Sequence, residues 1–110
     1  MKVVELIEKL NLKILTGKCD LNREVSGGYV SDLLSDVMGN ADEGQVWITL
    51  QTHKNVAAIA TLKEVAAVIL VKDYLPDDDT IAQAEKEGIP LLGTSMETFE
   101  VAGKLYQLLN

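Results

Sequence analysis

Ala67-Val68-Ile69-Leu70-Val71 is an unbroken apolar run with no polar face. A strand with one side in water alternates apolar and polar residues, so a continuous run is expected at the centre of a parallel sheet covered on both faces. The same grammar continues on either side. Val46-Trp47-Ile48-Thr49-Leu50 reads as a strand, and Asn55 to Leu62 as a helix with Val56, Ile59 and Ala60 on one face. Asp78 to Glu87 reads as the next helix, stopped by Gly88 and by Pro90 two residues later. Pro90-Leu91-Leu92-Gly93 makes a final short strand. The strands beginning near Val46, Val68 and Pro90 are about 22 residues apart, each followed by a helix. Connections this short imply right-handed parallel crossovers. The expected fold is α/β, a compact domain of two or three layers with a mainly parallel central sheet and flanking helices.

Further out the pattern is less regular. Val3, Leu6, Ile7 and Leu10 recur at helical spacing, which predicts a first helix over residues 2–10 with Asn11 as its stop. Leu12 to Thr16 reads as a short strand ended by Gly17, and residues 17–24 as a polar loop. Glu24 to Val30 contains a short extended segment around Gly27-Gly28. Asp32 to Met38 predicts one or two helical turns closed by Gly39-Asn40. Thr94, with Glu97 three residues on, has the capping-box pattern of a helix start. Phe99, Ala102, Leu105, Tyr106 and Leu109 are expected to face the core from that last helix.

The chain has 110 residues, near the common size for one domain, and a single domain over 1–110 is expected. Such a domain hides about two-thirds of its unfolded surface, enough for stability without metals or disulfides. Cys19 is the one cysteine, so no intramolecular disulfide or multi-cysteine zinc site can form, and a reducing, cytoplasmic setting is the natural reading. The net charge of −7, from 17 acidic and 10 basic residues, repels a phosphate backbone. Nucleic acid is therefore not an expected partner. No apolar run is long enough to span a bilayer, and residues 1–10 carry Glu5 and Glu8, unlike a signal peptide.

In an open parallel sheet ligands sit beyond the carboxyl ends of the strands, where helix N-termini point free N–H groups. Three segments fall at that edge: Gln51-Thr52-His53-Lys54-Asn55, Lys72-Asp73-Tyr74 and Gly93-Thr94-Ser95. Thr52, His53, Lys54, Lys72, Thr94 and Ser95 together offer hydroxyls, an imidazole and two ammonium groups suited to a phosphate or carboxylate. The competing reading is that Asn55, Thr94 and Ser95 only cap helices and that Lys72 is solvated. His53 is the one histidine, and no nucleophile elbow surrounds Ser31, Ser35 or Ser95, so no catalytic residue is assigned. Cys19 lacks a second cysteine for redox chemistry. Asp77-Asp78-Asp79 suits the start of a helix better than a metal site, because it lacks ligands at helical or loop spacing. No metal or cofactor is expected.

Ser26-Gly27-Gly28-Tyr29 is the most distinctive local feature. It lacks the Lys and Ser/Thr of a Walker loop, and it does not join a strand to a long helix in the frame of a dinucleotide fingerprint. A glycine-permitted bend is the plain reading. With its flanks, Arg23-Glu24-Val25-Ser26-Gly27-Gly28-Tyr29-Val30-Ser31-Asp32-Leu33-Leu34-Ser35, the segment resembles the core motif of DRTGG domains. Ser26 stands where the family's threonine precedes the glycines, and Asp-Arg-Thr is not present as such. The Ala67–Val71 strand and the Gly88-Ile89-Pro90-Leu91-Leu92 turn are also similar to the family, so the resemblance spans roughly the whole chain.

That resemblance implies a βα sandwich like the N-terminal domain of HPr kinase/phosphorylase and the DRTGG domain of phosphotransacetylases. It further implies self-association, as a homodimer, and a regulatory function rather than catalysis; the kinase's phosphoryl transfer belongs to a separate Walker-loop domain. Two functions follow as expectations. One is sensing of a small anionic metabolite or nucleotide, with signalling to a partner enzyme, through Ser26, Gly27 and Gly28 together with the strand-end residues. The other is a homodimerising interaction module without a small ligand. Tyr29, Tyr74 and Tyr106 are then candidate anchors, while Trp47, inside a strand, is expected in the core.

Overall fold

In the computed structural model, which describes residues 1–110, the chain runs α1 (Val3–Leu10), β1 (Lys13–Ile14), β2 (Gly27–Val30), α2 (Leu34–Asn40), β3 (Gln45–Thr49), α3 (Asn55–Lys63), β4 (Ala67–Leu70), α4 (Asp78–Glu87), β5 (Leu91–Gly93) and α5 (Thr98–Leu109). The strands form one sheet in the order β1-β5-β4-β3-β2, which puts the all-apolar β4 in the middle. β2, β3, β4 and β5 are parallel neighbours, and β1 closes one edge antiparallel to β5.

Strand side chains alternate between faces, and both faces are covered. Val46, Ile48, Ala67, Ile69 and Leu92 pack with Val3, Leu6 and Leu10 of α1 and Val101 and Leu105 of α5. Trp47, Val68, Leu70 and Leu91 pack on the other side with Val37 of α2, Val56, Ala57 and Ala60 of α3, and Ala84 of α4. The domain is therefore three-layered, and Trp47 is fully buried as expected. Its indole Nε1 donates to the Ser31 carbonyl at 2.9 Å, so burial leaves no polar group unpaired.

Local chemistry explains most of the boundaries. The Lys2 N–H donates to the Glu5 carboxylate at 3.0 Å, and the Val3 and Val4 N–H groups reach the Arg23 and Leu21 carbonyls. Three of the N–H groups at the start of α1 are thus satisfied. Asn11 ends α1 in the left-handed region, φ 53°. Gly88 ends α4 the same way, φ 72°, where a glycine carries no Cβ penalty.

Three expectations are corrected. α5 begins at Thr98 with Glu97 as its N-cap, not at Thr94. The Thr94 hydroxyl instead accepts the Met96 N–H at 3.1 Å, which turns the chain before the helix starts. Phe99 and Tyr106 are 92% and 70% exposed rather than core, because α5 meets the sheet through Val101 and Leu105, one turn apart. α2 begins at Leu34 and includes Gly39 and Asn40. Asp32 cannot open it, since its carboxylate accepts the Thr49 hydroxyl (2.9 Å) and the Leu50 N–H (2.8 Å) at the end of β3.

Candidate functional site

The register of the parallel strands separates the residues singled out in the sequence into two groups. Gly27 and Gly28 lie opposite Gln45 and Val46, at the amino ends of β2 and β3. Thr52, His53, Lys54, Lys72, Thr94 and Ser95 follow the carboxyl ends of β3, β4 and β5, where Thr49 pairs with Leu70 and Leu70 with Gly93. The sheet lies between the two groups, so they cannot share one small ligand.

At the amino end the glycine pair meets α5. A Cβ on Gly28 would lie 2.9 Å from Leu105 Cδ2, so this position lets the helix approach the edge strand. Ser26 donates its hydroxyl to the Glu43 carbonyl at 2.9 Å. Beside this contact lies a cleft of about 420 Å³ lined by Gly27, Gly28, Val30, Ile48, Leu105 and Tyr106 among others. Its lining mixes apolar side chains with the polar Ser26, Gln45 and Asn110, and β2 borders it as an edge strand. Further along β2, the Tyr29 hydroxyl donates to Asp36 at 2.8 Å. That bond holds the Asp36 carboxyl below the usual carboxylate range, with help from Ser31 and Asn40, and raises the Tyr29 phenol.

The carboxyl end is more heavily cross-linked than its composition suggests. α2, α3 and α4 all lie on one face, whereas the chain leaving β5 crosses to the other, so the loops after β4 and β5 diverge. Divergence of this kind opens the ligand crevice of doubly wound sheets. Here the two loops are stitched together: the Lys72 N–H donates to the Met96 carbonyl (3.0 Å) and the Asp73 N–H to the Thr94 carbonyl (2.9 Å). Lys72 and Asp73 adopt φ of 58° and 60° to make those bonds. The Thr52 carbonyl accepts from Asp77 N–H (3.1 Å) and the Thr80 hydroxyl (2.8 Å), tying the β3–α3 turn to α4. His53 is exposed, and its Nδ1 accepts the Asn55 N–H at 3.3 Å. That contact takes up the first N–H of α3, whose N-cap is Lys54, and reaches no serine or cysteine. Asp77 is the N-cap of α4, with Asp78 and Asp79 in its first turn, where the helix dipole favours them.

Two of the nominated residues, Thr94 and Ser95, open onto a second cleft of about 390 Å³. Its other walls include Lys9 at the end of α1, Lys13 in β1, and Lys104 on α5. These three lysines were not singled out from the sequence. Lys9 and Lys104 lie 95 residues apart in the sequence, and the return of β1 against β5 together with the packing of α1 beside α5 brings the three together. Lys9 does carry a local signal, a basic residue in the last turn of a helix, but that signal has a complete explanation in the helix dipole.

Residues 5–108 match the family model for the DRTGG domain. This chain belongs to the DRTGG domain family. No curated protein matches the sequence. Among solved structures, this DRTGG domain is similar to the regulatory region of Clostridium perfringens pyrophosphatase, whose crystal structure comprises CBS and DRTGG domains complexed with the activator diadenosine tetraphosphate. The TM-score is 0.72 at 16% identity, covering 94% of this chain and 44% of that one. The present chain thus spans less than half the length of that neighbour. No helix of this DRTGG domain is long and apolar enough to cross a membrane.

Proposed function

We infer that this DRTGG domain is a non-catalytic regulatory module that binds a small anionic metabolite or nucleotide and passes its state to a partner enzyme. The observation that carries the reading is the polar cleft at the end of β5, where Thr94 and Ser95 face basic side chains in a chain of net charge −7. Family membership supports it, as does likeness to a pyrophosphatase regulatory region crystallised with a nucleotide activator. The non-catalytic part rests on His53, which is exposed and accepts only the backbone N–H of Asn55, with no nucleophile or acid bonded to it. A cytoplasmic setting fits the single unpaired Cys19.

A thermal-shift screen of nucleotides and central metabolites tests the reading. A ligand that binds only the folded state at about 100 times its dissociation constant adds about 2.7 kcal/mol, a shift of several degrees. Absence of any shift across the screen removes the sensing function. A second reading, a homodimerising module, is favoured by the unpaired outer edge of β2 and by Val30 and Tyr106, 49% and 70% exposed beside it. Light scattering over a range of concentrations decides that point, and a monomer throughout removes it.

A further inference from the structure

We propose that the cleft between the end of α1, β1 and the β5–α5 turn is a site for a phosphate chain, with Lys9, Lys13 and Lys104 supplying charge and Thr94 and Ser95 supplying hydroxyls. The proposal rests on the sensing reading above and deepens it, by naming where the anion sits and what part of a ligand is held.

Four observations carry it. The cleft is lined by three of the chain's ten basic residues and by no acidic one, against an overall excess of seven negative charges. The ion pairs of the domain engage the Met1 ammonium, Arg23 and Lys104, so Lys9 and Lys13 stand outside all of them. The Lys104–Glu100 pair is an exposed contact at 3.3 Å, of a kind worth little and readily exchanged for a multiply charged anion. The carbonyl pole of α1, which would repel an anion, is closed before the cleft: the Asn11 and Leu12 N–H groups take up the Glu8 and Ile7 carbonyls.

The cleft's shape and chemistry select the ligand class. Leu10 and Met96 are its two apolar walls, which leaves little for a base to stack on, whereas about 390 Å³ accommodates a di- or triphosphate group. The Thr94 oxygen accepts the Met96 N–H, so its own proton remains to donate. Lysines on three separate elements suit a chain of charges better than a single carboxylate, since each acts as a point charge.

Isothermal titration with inorganic tripolyphosphate and with ATP, at about 150 mM salt, tests the site in the wild type and in Lys9→Gln, Lys13→Gln and Lys104→Gln. Lys86→Gln, on the opposite face of the sheet, is the control. Each cleft variant is expected to weaken both ligands about tenfold, the loss of one hydrogen bond to a charged group, and the control to leave them unchanged. Equal affinity for the two ligands assigns recognition to the phosphate chain alone, and tighter ATP binding assigns it to a nucleotide. ATP binding that ignores all three lysine substitutions overturns this site while leaving the sensing function standing. No binding of either ligand to the wild type overturns the site, and the metabolite screen then judges the sensing function separately.

Discussion

The amino and carboxyl ends of the parallel strands use similar small and polar residues for different purposes. At the amino end, Ser26-Gly27-Gly28 is the most conspicuous stretch of the sequence, and its second glycine faces Leu105 of α5 across a gap that a Cβ would reduce to 2.9 Å. At the carboxyl end, Gly93-Thr94-Ser95 is unremarkable in sequence, yet all three residues line a cleft with three lysines. Packing explains the conspicuous glycine without a ligand. The plainer segment faces groups that packing does not use. A distinctive motif therefore marks where the backbone is constrained, which is a separate question from where a ligand is held.

If the glycine end is about packing, disturbing it should cost stability and spare anion binding. Leu105→Ala removes a side chain that is 2% exposed, and is expected to destabilise the fold by about 2–5 kcal/mol in urea denaturation. Gly28→Val forces Leu105 aside and should cost about 1–3 kcal/mol by the same measurement. Any fraction of either variant that folds should bind tripolyphosphate as the wild type does. A large loss of affinity in folded Gly28→Val would move the ligand to the amino end.

Smaller effects probe the stitched loops. Lys72 holds a left-handed backbone, φ 58°, that glycine adopts freely, so Lys72→Gly should stabilise the domain by about 0.5–1 kcal/mol with anion affinity unchanged. A drop in stability there would show that the Lys72 side chain contributes more than its backbone costs. The smallest effect concerns Tyr29 and Asp36. The Tyr29 hydrogen bond lowers the folded Asp36 pKa, so its stabilising contribution is full above the unfolded carboxylate pKa and disappears as pH falls through the lower folded value. The raised Tyr29 phenol contributes below its unfolded pKa and loses that contribution as pH rises through the folded value. Tyr29→Phe should flatten both limbs of the stability–pH curve, and an unchanged acid limb would assign the carboxyl shift to Ser31 and Asn40 instead.

The sheet was legible because burial on both sides leaves a local trace: β4 is apolar at every position, and β3 and β5 repeat at its interval. Helix ends set by backbone geometry, Asn11 and Gly88, were legible for the same reason. The start of α5 was not. Thr94 and Glu97 have capping spacing, but the contact that decides the turn is with Lys72 and Asp73, more than twenty residues earlier. The face of α5 was legible only in part: Leu105 is core as expected, but its partner one turn earlier is Val101, and Phe99 and Tyr106 point to solvent. Thr94 and Ser95 were found through the general rule about strand ends. The lysines beside them were missed because β1 returns antiparallel against β5, and that pairing leaves no mark in either segment alone.

An ¹⁵N–¹H correlation titration of the full chain with ATP most directly compares the two ends of the sheet. Saturable shifts are expected at Lys9–Lys13, Gly93–Met96 and Lys104, with Ser26–Gly28 undisturbed. Shifts centred on Ser26–Gly28 and Tyr106, with the lysine cleft silent, would place the ligand at the amino end instead.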